Sequence, residues 1–364
     1  MNLDLVGRLT LFPGRPLPSI GSTRLSWVPR LARGRQADDW PAIAASLFTL
    51  CGTAHRMCAA RAVAAARGAR QAVTAEMGEA LRLGAAREQW LRLSLDWPRA
   101  LFDGPDAEAG AIPTISPLWR SDVAAEARWS GFRVWLRDHW LGMAPDAWLA
   151  AHDVDPDGWI AQWSESDASP AARLVRQCRK MAGHLATPHC SLRLTDDREA
   201  AFAELAQRMR DEAFCMQPTW DGGVPDTGPW SRHGDPVRRR HDNAGMRYVS
   251  RFVDLLRLAA PAGASWLAHG ALPVGPHQGI AWTESARGLL VHWVCLDDED
   301  EQLVEGRTVV PTDWNFHPRG VLAQSLSALT GAPQGPEARR LALAFDPCAP
   351  FDVVRHPVPE AADA

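Results

Sequence analysis

Two prolines bracket a thiol near the end of this chain, in the stretch Phe345-Asp346-Pro347-Cys348-Ala349-Pro350-Phe351. Proline fixes its own φ and pushes the residue before it toward extended geometry. Asp346 and Ala349 are therefore expected to leave the helix-like run from Pro336 to Leu343 and to hold Cys348 on a stiff turn. A rigidly presented thiol suits a metal ligand. Free cysteine is also one of the most buried residue types and commonly fills apolar space, so Cys348 taken alone reads as packing. A second thiol, Cys51, and the segments between the two change that balance.

Of the 364 residues, 46% are hydrophobic and 23% charged, enough for a large core. A formal net charge of -4 leaves no basic footprint for nucleic acid. The start, Met1-Asn2-Leu3-Asp4-Leu5, lacks a basic region followed by an apolar run, and no apolar stretch is long enough to span a bilayer. A cytoplasmic protein without membrane insertion is expected. Seven cysteines with no CxxC pair do not make a disulfide framework, which fits a reducing compartment. Seventeen tryptophans against one tyrosine point to core filling and nothing more specific.

Along the chain, Leu3–Phe12 and Thr23–Val28 read as the strands of a hairpin around Pro13-Gly14. From Asp38 the period becomes helical and runs to about Arg67, carrying Cys51-Gly52-Thr53-Ala54-His55-Arg56-Met57-Cys58. Cys51 and Cys58 fall two turns apart on one face if that helix is unbroken, a spacing that a core stripe produces equally. Thr74–Trp97 is amphipathic, Asp103–Pro117 is a Gly- and Pro-rich excursion, and helices follow at 119–142, 145–151, 156–163, 169–184 and 196–215, whose charges read as solvated faces. Residues 217–240 are irregular, yet Trp220 and Trp230 argue for an ordered loop packed on the core. His233 and His241 in and beside it read as ordinary loop histidines. A helix at 243–258 precedes strands near Gln278–Thr283, Gly288–Cys295 and Thr308–Val310, with the acidic run Asp297–Glu301 at a turn, and two short helices at 319–329 and 336–343 close the chain.

The stretch Gly279-Ile280-Ala281-Trp282-Thr283-Glu284-Ser285-Ala286-Arg287-Gly288 with His292-Trp293, followed by Val309-Val310-Pro311-Thr312-Asp313-Trp314-Asn315, resembles the large subunit of nickel–iron hydrogenases. There the segments read TEAPRG, then HW, then VVPSTWN. In that register the terminal stretch falls on the family's DPCxxC signature and Leu50-Cys51-Gly52-Thr53-Ala54 on its RxCGxC. Cys51 and Cys348 match the first cysteine of each pair, while Ala54 and Phe351 stand in place of the second. Leu50 replaces the arginine, Cys58 falls on a histidine, and Val6 falls on a glutamate implied in proton transfer. Val354 stands where the family has a histidine near its proteolytic processing site, with His356 two residues on, so processing is not expected.

The resemblance implies an α+β fold, mostly helical, with small peripheral β-sheets, as one domain over 1–356 and a tail at 357–364. A bridged nickel–iron pair needs four deprotonated thiolates, and neither alanine nor phenylalanine can donate to a metal. Phe351 would also occupy volume where the second metal lies, so hydrogen turnover is not expected. In the family, the arginine and the hydroxyl matched by Arg287 and Thr312 surround the iron's cyanide ligands, with Pro311 stiffening the strand end. Read without the family, Arg287 would equally pair with Glu284 or a surface aspartate. The pattern resembles the HupK/HoxV-type accessory proteins of hydrogenase operons. The implied role is a non-catalytic scaffold: Cys51 and Cys348, with Cys58 as an additional candidate, would hold an Fe(CN)2CO precursor, with nickel as a second candidate cargo and no permanently bound cofactor. The implied partners are HypC/HypD-type iron carriers and the hydrogenase large subunit. A binding module that mimics the immature subunit without holding metal is the alternative. Residues 75–215 carry no motif.

Overall fold

The structure, a computed structural model, describes residues 7–48, 51–69, 73–101, 116–194, 198–235, 241–331 and 334–354. Val6, Leu50, His356, the tail at 357–364 and nearly all of the 103–117 excursion lie outside the described residues. Helices dominate, with two small sheets. One sheet runs β2-β1-β7, where β1 is Leu9–Leu11, β2 Ile20–Ser22 and β7 Phe351–Val353. The other is the antiparallel order β3 (His269–Gly275), β4 (Gln278–Ser285), β5 (Gly288–Leu296), β6 (Leu303–Val309). The mostly helical α+β expectation holds.

Several local expectations shift, each for a physical reason. The second strand of the N-terminal hairpin is Ile20–Ser22 rather than Thr23–Val28. Pro29, with its φ pre-set, instead starts a short helix at Val28–Ala32. The hairpin also gains a partner from the far end of the chain: β7 pairs parallel to β1, Leu9 opposite Phe351. β3 was not legible, because Gly270, Pro273 and Gly275 weaken any strand signal. It survives as an edge strand with a register shift between Pro273 and Gly275, the place where a sheet tolerates proline.

The expected helix from Asp38 to Arg67 is two helices, Trp40–Leu47 and Gly52–Ala66, with Cys51 as the N-cap of the second. A Cβ on Gly52 would lie 2.8 Å from the Ala45 carbonyl oxygen, so glycine is what lets the second helix start against the first. The Gly52–Ala66 helix then packs on the larger sheet at a second close approach. A Cβ on Gly279 would lie 2.1 Å from the Ala62 oxygen and 2.4 Å from the Ala66 nitrogen, both backbone. Gly279→Ala is therefore expected to cost about 1–3 kcal/mol or more as strain. A urea transition at the wild-type midpoint would show that helix and sheet can part without cost.

Elsewhere the helices obey ordinary signals. Thr74 accepts the amide of Met77 at 3.1 Å and Asn243 that of Met246 at 2.9 Å, fixing the starts of the Ala75–Leu91 and Ala244–Ala259 helices. The tryptophans fill the helical middle edge to face. Trp90 meets Trp135 and Trp140 at 5.1 Å each, and Trp148 meets Trp163 at 5.3 Å and Phe252 at 5.0 Å. Large flat rings in these geometries bury much area per residue and add attraction beyond it. Over residues 217–235 the loop packs on the core as expected, with 236–240 outside the described residues: the indole of Trp230 donates to Asp226 at 3.0 Å, and Asp226 pairs with Arg247 at 2.7 Å, both carrying 0% side-chain exposure. Among the described residues no helix is long and apolar enough to cross a membrane.

Candidate functional site

The Gln334–Phe345 helix ends at Asp346, whose φ of +50 reverses the chain direction. Aspartate tolerates the left-handed region better than most residues with a Cβ. Pro347 then prevents any return to helix, Cys348 follows, and Pro350 passes the chain into β7. The expectation that Asp346 leaves the helix and presents Cys348 on a stiff turn is met.

Thr312 receives that turn. It sits in the first turn of the short Pro311–Asn315 helix, which begins directly after β6 with Pro311 at its N-terminal position. The Cys348 amide donates to Thr312 Oγ1 at 3.3 Å, and the same oxygen lies 3.0 Å from Cys348 Sγ. A hydroxyl that accepts the amide still has its own hydrogen to offer the sulfur. Asp313, beside it, accepts from the Val310 amide at 2.8 Å and pairs with Arg24 at 2.8 Å. Asn315 exchanges two hydrogen bonds of 2.8 Å with the backbone of Thr227, anchoring the helix to the Trp230 loop.

Arg287 lies behind the thiols, 4% exposed. It does not pair with Glu284, which instead accepts the amides of His233 and Ala268 at 2.9 Å and 2.8 Å. Its partners are Glu88 and, through Nε at 3.3 Å, Asp346. Asp346 also receives Arg92 at 2.9 Å and Arg251 at 3.3 Å. Three guanidinium groups hold its carboxyl below the ordinary range against the opposing effect of burial, with Arg287 the largest of them. Arg251 and Gln89 both donate to the Ala286 carbonyl, at 3.0 Å and 2.9 Å, and Gln89 continues to Asp254, which holds Arg232 in a two-bond fork. A buried polar network thus runs from the turn that carries Cys348 into the middle of the molecule.

Cys51 belongs to the same cluster. Burial pushes its thiol upward, the charges of Glu88 and Cys348 push it further, and Arg287 opposes them. Arg287 in turn interacts with Asp346, Glu88, Cys348 and Cys51. The two cysteines of the sequence motifs therefore lie within electrostatic reach of one guanidinium. Cys58 is not part of this group: it is 1% exposed and its thiol donates to the Ala281 carbonyl at 3.1 Å. Phe351 opens β7, half-buried, with the Arg339 guanidinium 5.9 Å from its ring centroid. Among the described residues no group of three or more His, Cys, Asp or Glu side chains has the geometry to hold a metal ion.

Sequence reasoning missed Glu88, Arg92, Arg251 and Asp346 as site residues, although Asp346 stands in the quoted motif. It also missed a histidine pair. His55, one turn after Cys51, lies 2.9 Å through Nδ1 from His292 Nε2, and both rings are fully buried. His55 stacks on Phe48 with centroids 3.7 Å apart. His292 was quoted in the hydrogenase-like motif, and that was the available signal for the pair.

Comparison with known proteins defines the class first. The Nickel-dependent hydrogenase family description matches residues 262–350, the part that carries Arg287, Thr312 and Cys348. The fold is similar to that of the Ni-Fe-Se hydrogenase from D. vulgaris Hildenborough, with a TM-score of 0.54 at 14% identity over 90% of this chain and 92% of the other. It is likewise similar to an NAD+-reducing [NiFe]-hydrogenase, with a TM-score of 0.53 at 14% identity over 90% and 91%. Within that class, the HoxV hydrogenase expression/formation protein of Cupriavidus necator is 37% identical over 96% of this chain and 95% of its own. HupK of Rhizobium leguminosarum bv. viciae is 30% identical over 95% and 94%. The chain belongs to the HoxV/HupK family of hydrogenase expression/formation proteins, relatives of the hydrogenase large subunit.

Proposed function

We propose that this protein is a non-catalytic accessory factor in nickel–iron hydrogenase maturation. In this reading it holds an Fe(CN)2CO precursor on Cys51 and Cys348 before handing it, or a metal pair built on it, to the large subunit. HypC/HypD-type iron carriers would supply the cargo. The observation that supports this most is the convergence of Cys51, Cys348 and Arg287, drawn from three distant motifs, with Thr312 on the Cys348 sulfur. Thiolates suit iron, and hydrogen-bond donors such as the guanidinium and the hydroxyl suit the nitrogen ends of bound cyanide. Only two of the four motif positions that ligate metal in the hydrogenase family carry cysteine here, which favours a weak, releasable attachment over a working centre.

A second reading is favoured by two observations. Cys51 is held in its protonated form by burial and by Glu88, and no third ligand joins the pair among the described residues. In that case the protein mimics the immature large subunit and recruits maturation factors without holding metal. Infrared spectroscopy in the cyanide and carbonyl stretching region separates the two. Protein purified anaerobically from its host is expected to show bands that the Cys51→Ser/Cys348→Ser variant lacks, with maturation lost in the variant. Absence of bands from both, with maturation intact in the variant, would leave the mimic.

A further inference from the structure

A cavity of about 610 Å³ lies between the N-terminal hairpin and the segment that follows Pro311. Its volume falls in the range of about 300–1,000 Å³ usual for small-molecule sites. Leu9 and Ile20 form part of its apolar wall, and Arg24, Thr312, Asp313 and Arg319 contribute polar groups. Thr312 faces two ways: it lines the cavity, and its Oγ1 lies 3.0 Å from Cys348 Sγ. Arg24 also lines the cavity and interacts electrostatically with Cys348. The half-buried thiol thus stands one side chain behind the cavity wall.

The charges around the cavity have one sign to spare. Asp313 is neutralised by Arg24 at 2.8 Å and by the Val310 amide. Arg319 is exposed, and its guanidinium forms no ion pair among the described residues. A cleft whose unpaired charge is positive concentrates small anions and raises their rate of arrival. Beyond Thr312, the Arg287 guanidinium, which interacts with Cys348, is a cationic donor group on the far side of the sulfur's hydroxyl partner.

We propose that this cavity is the port through which a small anionic group, of the metal–cyanide class, reaches Cys348. The port rests on the cargo-holding reading for the identity of its user, but not for its existence. Arg319 draws the anion in, the Ile20–Ser22 strand forms the rim, and Thr312 is the last side chain before the sulfur.

Alkylation of the purified full-length protein, followed at Cys348 by peptide mass spectrometry, tests this with iodoacetate as the anionic reagent and iodoacetamide as the neutral one. Ser22→Trp, which fills the exposed rim, is expected to remove most reaction with both reagents. Arg319→Glu is expected to slow iodoacetate by about threefold to tenfold relative to iodoacetamide, an effect that shrinks with added salt. Hexacyanoferrate(II), a stable iron–cyanide anion, is expected to protect Cys348 in wild-type protein. Both residues lie on the surface, so folded variants are expected, checked by far-UV circular dichroism. Wild-type rates and an unchanged reagent ratio in both variants would overturn the port. Gated alkylation in a protein without cyanide or carbonyl bands would remove the cargo reading and leave the port standing.

Discussion

Asp346→Asn is expected to cost about 3–5 kcal/mol of stability, the range for removing one partner of a buried ion pair. The side chain is 6% exposed and receives Arg92, Arg251 and Arg287. Asparagine keeps the shape and the tolerance of positive φ but removes the charge, so Arg251, buried with 0% side-chain exposure, loses its ion-pair partner and keeps only the weaker influence of Asp254. The surface pair Arg8–Asp352, 45% and 53% exposed, supplies the control, because such pairs contribute about 0–1 kcal/mol. Urea unfolding of Asp346→Asn and Asp352→Asn side by side should give a large shift for the first and almost none for the second. Equal midpoints would show that the three guanidinium groups do not depend on Asp346. Since Asp346 also holds Arg287, the guanidinium that interacts with both thiols, the same variant is expected to weaken the infrared bands expected above for thiol-held cargo.

Acid is expected to weaken the fold well above the range in which carboxylates titrate. Burial holds His292 down at about 3 and pushes His55 well below the ordinary imidazole value, with His292 adding to the effect on His55. Both are neutral in the folded protein, whereas in the unfolded chain each takes up a proton near pH 6.5. The unfolded state therefore binds more protons than the folded one below that pH, and stability falls as pH falls. Two such groups remove about 3 kcal/mol between pH 6.5 and pH 5. His269 and His317 shift in the same direction, while the half-buried His277 shifts the opposite way beside Asp300. Geometry adds a standing cost. Each neutral ring has one N–H and one lone pair, and the 2.9 Å bond between them uses one of each. His55 Nε2 and His292 Nδ1 have no hydrogen-bond partner among the described residues, so one N–H stays buried and unsatisfied. Urea midpoints from pH 7.5 to pH 5 measure the loss, and His292→Gln should flatten it. A flat profile in wild type would mean that the rings are reached by water or protonated in the folded state.

The parts of the fold that were legible in the sequence depend on neighbours in the chain. The helix starts near Thr74 and Asn243, the strands near 278–283 and 288–295 and the exit from helix at Asp346-Pro347 follow from local stereochemistry, and each is present. The break before Cys51 was not legible, because Ala-rich sequence supports helix on both sides of it. It is decided by Gly52 meeting Ala45, a contact between two helices. The site divides in the same way. Cys51, Cys348, Arg287, Pro311 and Thr312 were selectable because they stand in motifs of the hydrogenase family. Glu88, Arg92 and Arg251 lie in segments without any motif, and on a helix surface a charged residue looks the same whether it faces water or a buried partner.

Sequence by itself determined the two thiols, the family pattern around them and the two motif positions where cysteine is absent, since these are matters of residue identity. Tertiary structure alone decided that Arg287 answers Glu88 and Asp346 instead of Glu284, that Cys58 serves the sheet and not the thiol cluster, and that β7 closes against β1. Those outcomes rest on contacts between residues up to hundreds of positions apart, Leu9 with Phe351 among them. No local periodicity records such contacts. They are selected when the whole chain buries its apolar surface and each buried charge must find a partner.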